Sequence, residues 1–381
     1  MDESIRTVVG AGPAGFAAAI NLALAGLNVH VRERRPMPGF RHHGFQGIEN
    51  WSEEDDALIR LRRFGIDPAV VLRPEHEVSF YGPSREERIV FSEFPLFYFV
   101  RRGEREDSLD RKLEERAKEM GVRITYNDTV RTAPVNTIVG VGPTSAMAIA
   151  KGITFKTDAA NMATCIVDPE IAPKAYAYLL IHEGEGTLAT MLTQEYKSAS
   201  SYLKKAIEAF QGLKKFSIEK PVEFGGYGGV EFSGKCVLGG HLRVGEFGGG
   251  QDALWGFGLW YALESGYLAA KALTQNVSYE KLFRKRLLKR MRRLLVSRWL
   301  FDRLPRSRYE GYLRSFAGLE NTRERIRRAY GGSFWLNALY PFALRSFHVS
   351  KQEERCHMEH CDCIWCMHGK EELVVPQLER T

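Results

Sequence analysis

Three glycines near the N-terminus restrict this chain to a small set of folds. Residues 7–33 read TVVGAGPAGFAAAINLALAGLNVHVRE. Thr7-Val8-Val9 is a short β-branched run that predicts a strand, and Gly10, Gly12 and Gly15 follow it at GxGxxG spacing. Gly10 suits the tight turn out of the strand, Gly12 lets the backbone approach a pyrophosphate, and Gly15 lets the next helix pack closely on the strand. That helix, predicted from Pro13 and Ala14 to Ala25, aims its N-terminal amides and positive dipole end at the anion. Gly26 suits its end. A second strand, Val29–Arg32, delivers Glu33, 23 residues after Gly10, where a carboxylate accepts hydrogen bonds from ribose hydroxyls. A bare βαβ turn is the plainer reading, but the strand, helix and acid together predict a dinucleotide site. Glu33 disfavours a 2′-phosphate, while Arg32, Arg34 and Arg35 leave that preference open.

The rest of the chain must supply what lies around such a site. Its 381 residues suffice for one large domain or two, and a composition of 44% hydrophobic and 27% charged residues is that of a globular protein. The net charge of +7 is modest for this length, so where it lies matters more than its size. The opening apolar run is interrupted by Gly10, Gly12, Pro13 and Gly15 and does not read as a secretory leader. No apolar run reaches the roughly 18 residues of a membrane span. A cytoplasmic protein is expected. Arg34–Trp51, rich in Gly, Arg and His, predicts a loop crossing the cofactor, with His42 and His43 as polar loop residues or, less plainly, anchors for a covalent cofactor. Helical pattern follows over Glu53–Phe64, then strand-like runs at Val78–Tyr81 and Arg88–Phe91. A turn carrying Arg101 and Arg102 leads into a helix from Ser108 to Met120, with Ser108 suited to its start, and a strand at Val122–Tyr126.

The N-terminal motif followed by an Arg-bearing turn before a helix resembles the flavin-dependent hydroxylase (p-hydroxybenzoate hydroxylase-type) superfamily, and especially its geranylgeranyl reductase branch. Pro169–Thr187, PEIAPKAYAYLLIHEGEGT, carries a sharper likeness. Ala175-Tyr176-Ala177-Tyr178 lies over the family's GYxW, and Leu180-Ile181 over its FP pair. Val237–Leu273 is similar to the second flavin motif, a strand ending in GD, a loop, then GxG opening a helix. Gly256, Gly258, Ala262, Ser265, Gly266, Ala269 and Ala270 match as they stand. The resemblance spans residues 5 to about 275 and implies FAD as cofactor, held by Gly10, Gly12, Pro13, Ala14, Gly15, Glu33, Arg34, Arg102, Gly240, Gly256, Gly258 and Leu259. Two departures stand out. Val141 replaces the Asp of the central DG motif, and Gly240-His241 replaces the GD of the second, so both acids near the flavin are expected to be absent.

The C-terminal third departs further. Tyr279–Leu304 places Leu282, Phe283, Leu287, Leu288, Met291, Leu294 and Leu295 at helical spacing with Lys and Arg between them. This predicts either an interfacial helix drawn to anionic lipid or an amphipathic helix docked on the protein with a solvated basic face. Residues 335–342 add an aromatic cluster. No nucleic-acid-binding module accompanies the charge, so nucleic acid is not an expected partner. Cys356, Cys361, Cys363 and Cys366 then give C-x4-C-x-C-x2-C. Four thiolates so close together suit zinc or an iron–sulfur cluster, the alternative being a reduced thiol tail.

The expected architecture is α/β (α+β): a Rossmann-like FAD domain from residues 1–75, 100–150 and 225–275, interleaved with a mixed β-sheet substrate domain from 76–99 and 151–224. A basic helical region (276–350) and the Cys-rich tail (351–381) complete it. The expected activity is reduction of carbon–carbon double bonds in an isoprenoid or lipid-like substrate, with an electron-donor protein and peripheral membrane contact as further partners. A flavin monooxygenase, a quinone-linked flavoprotein and an electron-transfer subunit with little catalysis are the alternatives. His241, His182 and Tyr176 are the candidate proton donors.

Overall fold

The structure is a computed structural model that describes residues 5–230, 234–318, 322–331, 334–347, 364 and 377–378. The four cysteines at 356, 361, 363 and 366, expected to hold a metal, lie outside these residues. Among the described residues no group of His, Cys, Asp and Glu is arranged to hold a metal ion, and no helix is long and apolar enough to cross a membrane.

The N-terminal pattern folds as its spacing predicts. Strand β1 (Arg6–Val9) runs into helix α1 (Pro13–Leu24), and β2 (Val29–Arg32) returns parallel to β1. A six-stranded sheet grows from this pair in the order β16-β17-β10-β1-β2-β8, using β8 (Arg123–Thr125), β10 (Ile138–Val139), β16 (Val237–Leu238) and β17 (His241–Arg243). Its parallel strands pair β10 with β1 and β17 with β10. Helix α5 (Leu259–Thr274) packs along α1, and the approach is close: a Cβ on Gly266 would stand 2.1 Å from the Ala14 carbonyl oxygen. Helix α3 (Leu109–Glu119) packs on α1 as well, started by Ser108, whose Oγ accepts from the Arg111 N–H.

A seven-stranded, largely antiparallel sheet forms the second layer. Its order is β15-β11-β14-β13-β12-β5-β6, from β5 (Glu77–Tyr81), β6 (Glu87–Phe91), β11 (Ala148–Lys156), β12 (Met162–Ile166), β13 (Ala177–His182), β14 (Glu185–Leu192) and β15 (Glu219–Gly228). The two-residue period of β13 divides its side chains between two faces. Ala177, Leu179 and Ile181 join Leu203, Ala206 and Phe210 of helix α4 (Ala199–Leu213) in one apolar cluster. Tyr178 and Leu180 face the other way, into a cavity. Residues 34–51, expected as a loop, differ from that reading: Gly44–Glu49 forms β3, paired antiparallel with β7 (Phe97–Arg102), whose other edge takes β4 (Arg73–Glu75). Gly47 hides this strand in the sequence, because it leaves room for Phe97, 2.8 Å from where its Cβ would be.

The basic segment is a continuous helical run of three pieces: α6 (Tyr279–Phe283), a π-helical turn over Arg284–Leu288, and α7 (Lys289–Phe301). Its apolar stripe is buried in the protein, with Phe283, Leu287, Leu288, Met291 and Leu294 in the main core. Part of its charge is also used internally. Arg286 donates to Glu264 at 2.8 Å, and Arg290 to Glu53 at 2.8 Å. Helices α9 (Thr322–Gly331) and α10 (Phe334–Ser346) pack on α7.

Candidate functional site

A cavity of about 770 Å3 lies between the two sheets and beneath α7 and α9. One end is built by the strand ends of the six-stranded sheet. Gly10 leaves β1 at φ +102°, and a Cβ there would lie 2.3 Å from the Gly140 carbonyl oxygen, so the turn between the two neighbouring strands requires glycine. A Cβ on Gly15 would fall 1.9 Å from the Gly10 carbonyl oxygen, which sets the close packing of helix on strand. Gly12 differs: nothing stands within 4 Å of its added Cβ. It borders open space at the N-terminus of α1, where no side chain caps the first amides. Those amides remain available to an anion.

Glu33 follows β2 and is fixed by two backbone donors: Ala11 N–H at 2.7 Å and Arg35 N–H at 2.8 Å. Its carboxylate thus ties the glycine turn to the second strand at the cavity wall. Arg32, which left a 2′-phosphate preference open, is gripped by Asp128 through Nε at 2.6 Å and Nη2 at 2.8 Å. Arg102 is buried and held to Asp110 by bonds of 2.8 and 3.0 Å, with Gln46 accepting at 3.1 Å.

Of the residues expected to hold a cofactor, Gly10, Gly12, Pro13, Ala14, Glu33, Arg34, Arg102, Gly256, Gly258 and Leu259 line this one cavity. Gly15 lies just beneath it. Gly240 does not line it. Gly239 and Gly240 have φ of +56° and +79° and form the tight hairpin turn between β16 and β17, away from the cavity. His241 is 1% exposed and begins β17 outside the lining. The strand that reaches the site is β17 itself, and it runs on through Val244 to Gly245-Glu246. Gly245 N–H donates to Ser265 Oγ at 2.8 Å, and a Cβ on Gly245 would sit 3.2 Å from that of Ala14. Glu246 lines the cavity, accepts from Gln251 Nε2 at 2.8 Å, and is held above the usual carboxylate range by burial. An acid therefore does stand after the strand, five residues beyond His241. The signal was present in the sequence: successive glycines between short strand runs mark a hairpin turn, and counting back from Gly256-Phe257-Gly258 reaches Gly245-Glu246. Val141 lines the cavity as an apolar residue after β10.

The other end of the cavity is apolar. Val78, Phe80 and Val90 come from β5 and β6, Ala163, Cys165, Tyr178 and Leu180 from β12 and β13, and Leu300, Phe301 and Ile326 from the C-terminal helices. Between the two ends, Gly256 at φ +79° turns the chain into α5, whose N-cap Gly258 carries no capping side chain. Tyr176 is the one of three candidate proton donors on this wall; its hydroxyl donates to the Trp255 carbonyl at 2.7 Å, and burial holds its phenol well above the ordinary range. His182 packs instead against Phe45 and Phe99, and burial lowers its pKa. Tyr330 also lines the cavity and donates to buried Asp252 at 3.2 Å. His42 and His43 border the glycine-built end.

Residues 8–49 match the model of the NAD(P)-binding Rossmann-like domain. No curated protein matches the sequence. Among solved structures, a geranylgeranyl bacteriochlorophyll reductase-like protein from Thermoplasma acidophilum is 19% identical, with a TM-score of 0.66 over 91% of this chain and 97% of that one. A flavin-dependent brominase is 14% identical, with a TM-score of 0.60 over 90% and 99% of the chains. The p-nitrophenol 4-monooxygenase of Pseudomonas putida is 13% identical, with a TM-score of 0.57 over 85% and 96%. The chain has the fold that these flavin-dependent oxidoreductases share, with a Rossmann-like unit at its N-terminus.

Proposed function

We propose that this protein is an FAD-dependent oxidoreductase that reduces carbon–carbon double bonds of an isoprenoid or similar lipid. One observation carries the reading: a single cavity joins an uncapped, glycine-built anion cradle at α1 to a chamber walled by apolar and aromatic side chains. The donor set fits the cofactor, because the space beside Gly12 is open where a pyrophosphate belongs and the Glu33 carboxylate stands at the same wall. Gly10–Ala14 and Glu33 would hold the adenosine and phosphate part, and Glu246 and the Gly256–Leu259 turn the flavin part. When bound, FAD supplies hydride chemistry.

The chain's own residues supply the setting. Helix α5 begins at the cavity wall with no side chain capping it, so its first amides would stabilise negative charge developing there. Phe80, Leu180 and Phe301 keep the chamber apolar and favour a hydrocarbon over a polar substrate. The Tyr176 hydroxyl keeps its proton at the wall of that chamber.

The test is reoxidation of the reduced protein without oxygen. A prenyl alkene is expected to restore the oxidised flavin band anaerobically and to emerge saturated. Reoxidation only by oxygen, with a hydroxylated product, would instead support a monooxygenase, the activity named for one structural neighbour. Reoxidation only by a quinone or a protein would support an electron carrier.

A further inference from the structure

Outside the main cavity, a cleft of about 290 Å3 lies between the basic helical run and α10, lined by Arg284, Leu288, Lys289, Arg292, Asn337 and Tyr340. Among the described residues no acid lines it and none of its three cations makes an ion pair. Three like charges brought together repel one another unless an anion joins them. Arg292 stacks over the Tyr340 ring at 5.0 Å, which orients its guanidinium, and its buried Nε–H has no acceptor among the described residues.

The backbone contributes to this convergence. Arg284 and Lys289 are five residues apart, a spacing that an α-helix places on different faces. The π turn over Arg284–Leu288 closes its hydrogen bonds over five residues and brings both cations to one side. Such turns cost helix regularity and concentrate at functional sites. Arg286 and Arg290, by contrast, turn inward to Glu264 and Glu53. The helical run thus divides its cations into an internally neutralised set and an open one.

We propose that this cleft is a phosphate-binding site, taking the phosphate or diphosphate of a phosphorylated ligand through Arg284, Lys289 and Arg292, with the Asn337 amide as a neutral donor. Arginine and lysine in a preformed cleft suit phosphate oxygens, and with no carboxylate among its described lining residues the cleft favours anions over cations. The site is separate from the cofactor cradle. It lies on the same helix as Ser297 and Leu300, which line the main cavity, about 12 Å further along at 1.5 Å per residue. The inference does not depend on the cavity's proposed chemistry.

The test compares wild-type protein with the variant Lys289→Gln/Arg292→Gln and with a charge-matched control, Lys204→Gln/Lys215→Gln on and beside α4. Inorganic pyrophosphate is titrated calorimetrically into protein saturated with FAD, so that any anion site at α1 is filled. Sedimentation with phosphatidylcholine vesicles, with and without phosphatidic acid, is measured in parallel. The cleft variant is expected to lose about tenfold or more in affinity, in a salt-dependent manner, while the control is unchanged. Pyrophosphate binding alone assigns the cleft to a soluble phosphate ester, and binding to phosphatidic acid vesicles alone assigns it to a lipid headgroup; either supports the proposal. Equal binding by the cleft and control variants, or no binding of either probe by the wild type, overturns it.

Discussion

At the scale of single residues, the three motif glycines do different work and their variants separate. A side chain at Gly15 collides with the Gly10 carbonyl, whereas one at Gly12 meets only open space in the cradle. Gly12→Val is therefore expected to fold with an unchanged melting temperature but to lose FAD. Gly15→Val is expected to fold poorly whether or not FAD is added, and thermal melts with a flavin titration distinguish the two. Asp252 makes a second prediction. Burial raises its carboxyl to about 6, against an ordinary value of 3.8, only partly offset by the Leu254 N–H at 2.7 Å. The folded state then holds this proton more tightly than the unfolded chain. Its contribution to stability is present at low pH and is lost as pH rises from about 4 to about 6, in total roughly 3 kcal/mol. Asp252→Asn removes that loss, so the variant should melt higher than wild type above about pH 6, with the difference closing near pH 4. A constant difference across that range would contradict the buried-acid account.

At the scale of elements, α3 is secured at its start by two side chains. Ser108 Oγ accepts from Arg111 N–H at 3.2 Å and donates to the Gly103 carbonyl at 2.7 Å, and Asp110 in the first turn holds Arg102. Ser108→Ala should cost about 1 kcal/mol of unfolding free energy. Arg102→Ala leaves Asp110, 1% exposed, with only the Gly103 N–H and no charged partner, and should cost about 3–5 kcal/mol in a denaturant titration. Elements whose local pattern and tertiary role agree were readable in advance: β1, α1 and β2 from glycine spacing and alternation, and α3 from its cap. Strand β3 was not, since Gly44 and Gly47 look like loop residues until Phe97 is seen filling the space that Gly47 leaves. The Gly240-His241 pair, which replaces the expected GD, falls on a hairpin turn for a related reason, and the acid that lines the cavity is Glu246. Hairpin glycines and motif glycines share one letter, and the pairing of β16 with β17 shows Gly239 and Gly240 to be of the first kind.

At the scale of the whole molecule, the cavity exists because non-contiguous stretches meet. The glycine turn after β1, the β7 end that carries Arg102, the β13 face with Tyr178 and Leu180, and the α5 entry at Gly258 all border it. The sequence motifs located most of the glycine-built end of the cavity, because a tight strand-to-helix turn demands glycine at fixed spacing. The apolar chamber was not legible residue by residue. An apolar side chain facing a cavity and one facing a core have the same sequence pattern, as Leu180 and Leu179 illustrate on adjacent positions of one strand. The basic helical run was legible as amphipathic, but its π turn, and hence the gathering of Arg284 with Lys289, follows from the fold.

If this cavity holds FAD, titrating the protein with FAD under absorption spectroscopy gives saturation at one flavin per chain with a shifted, structured oxidised-flavin band, and that saturation is lost in Gly12→Val. No spectral change in the wild type, or equal binding by Gly12→Val, would contradict it.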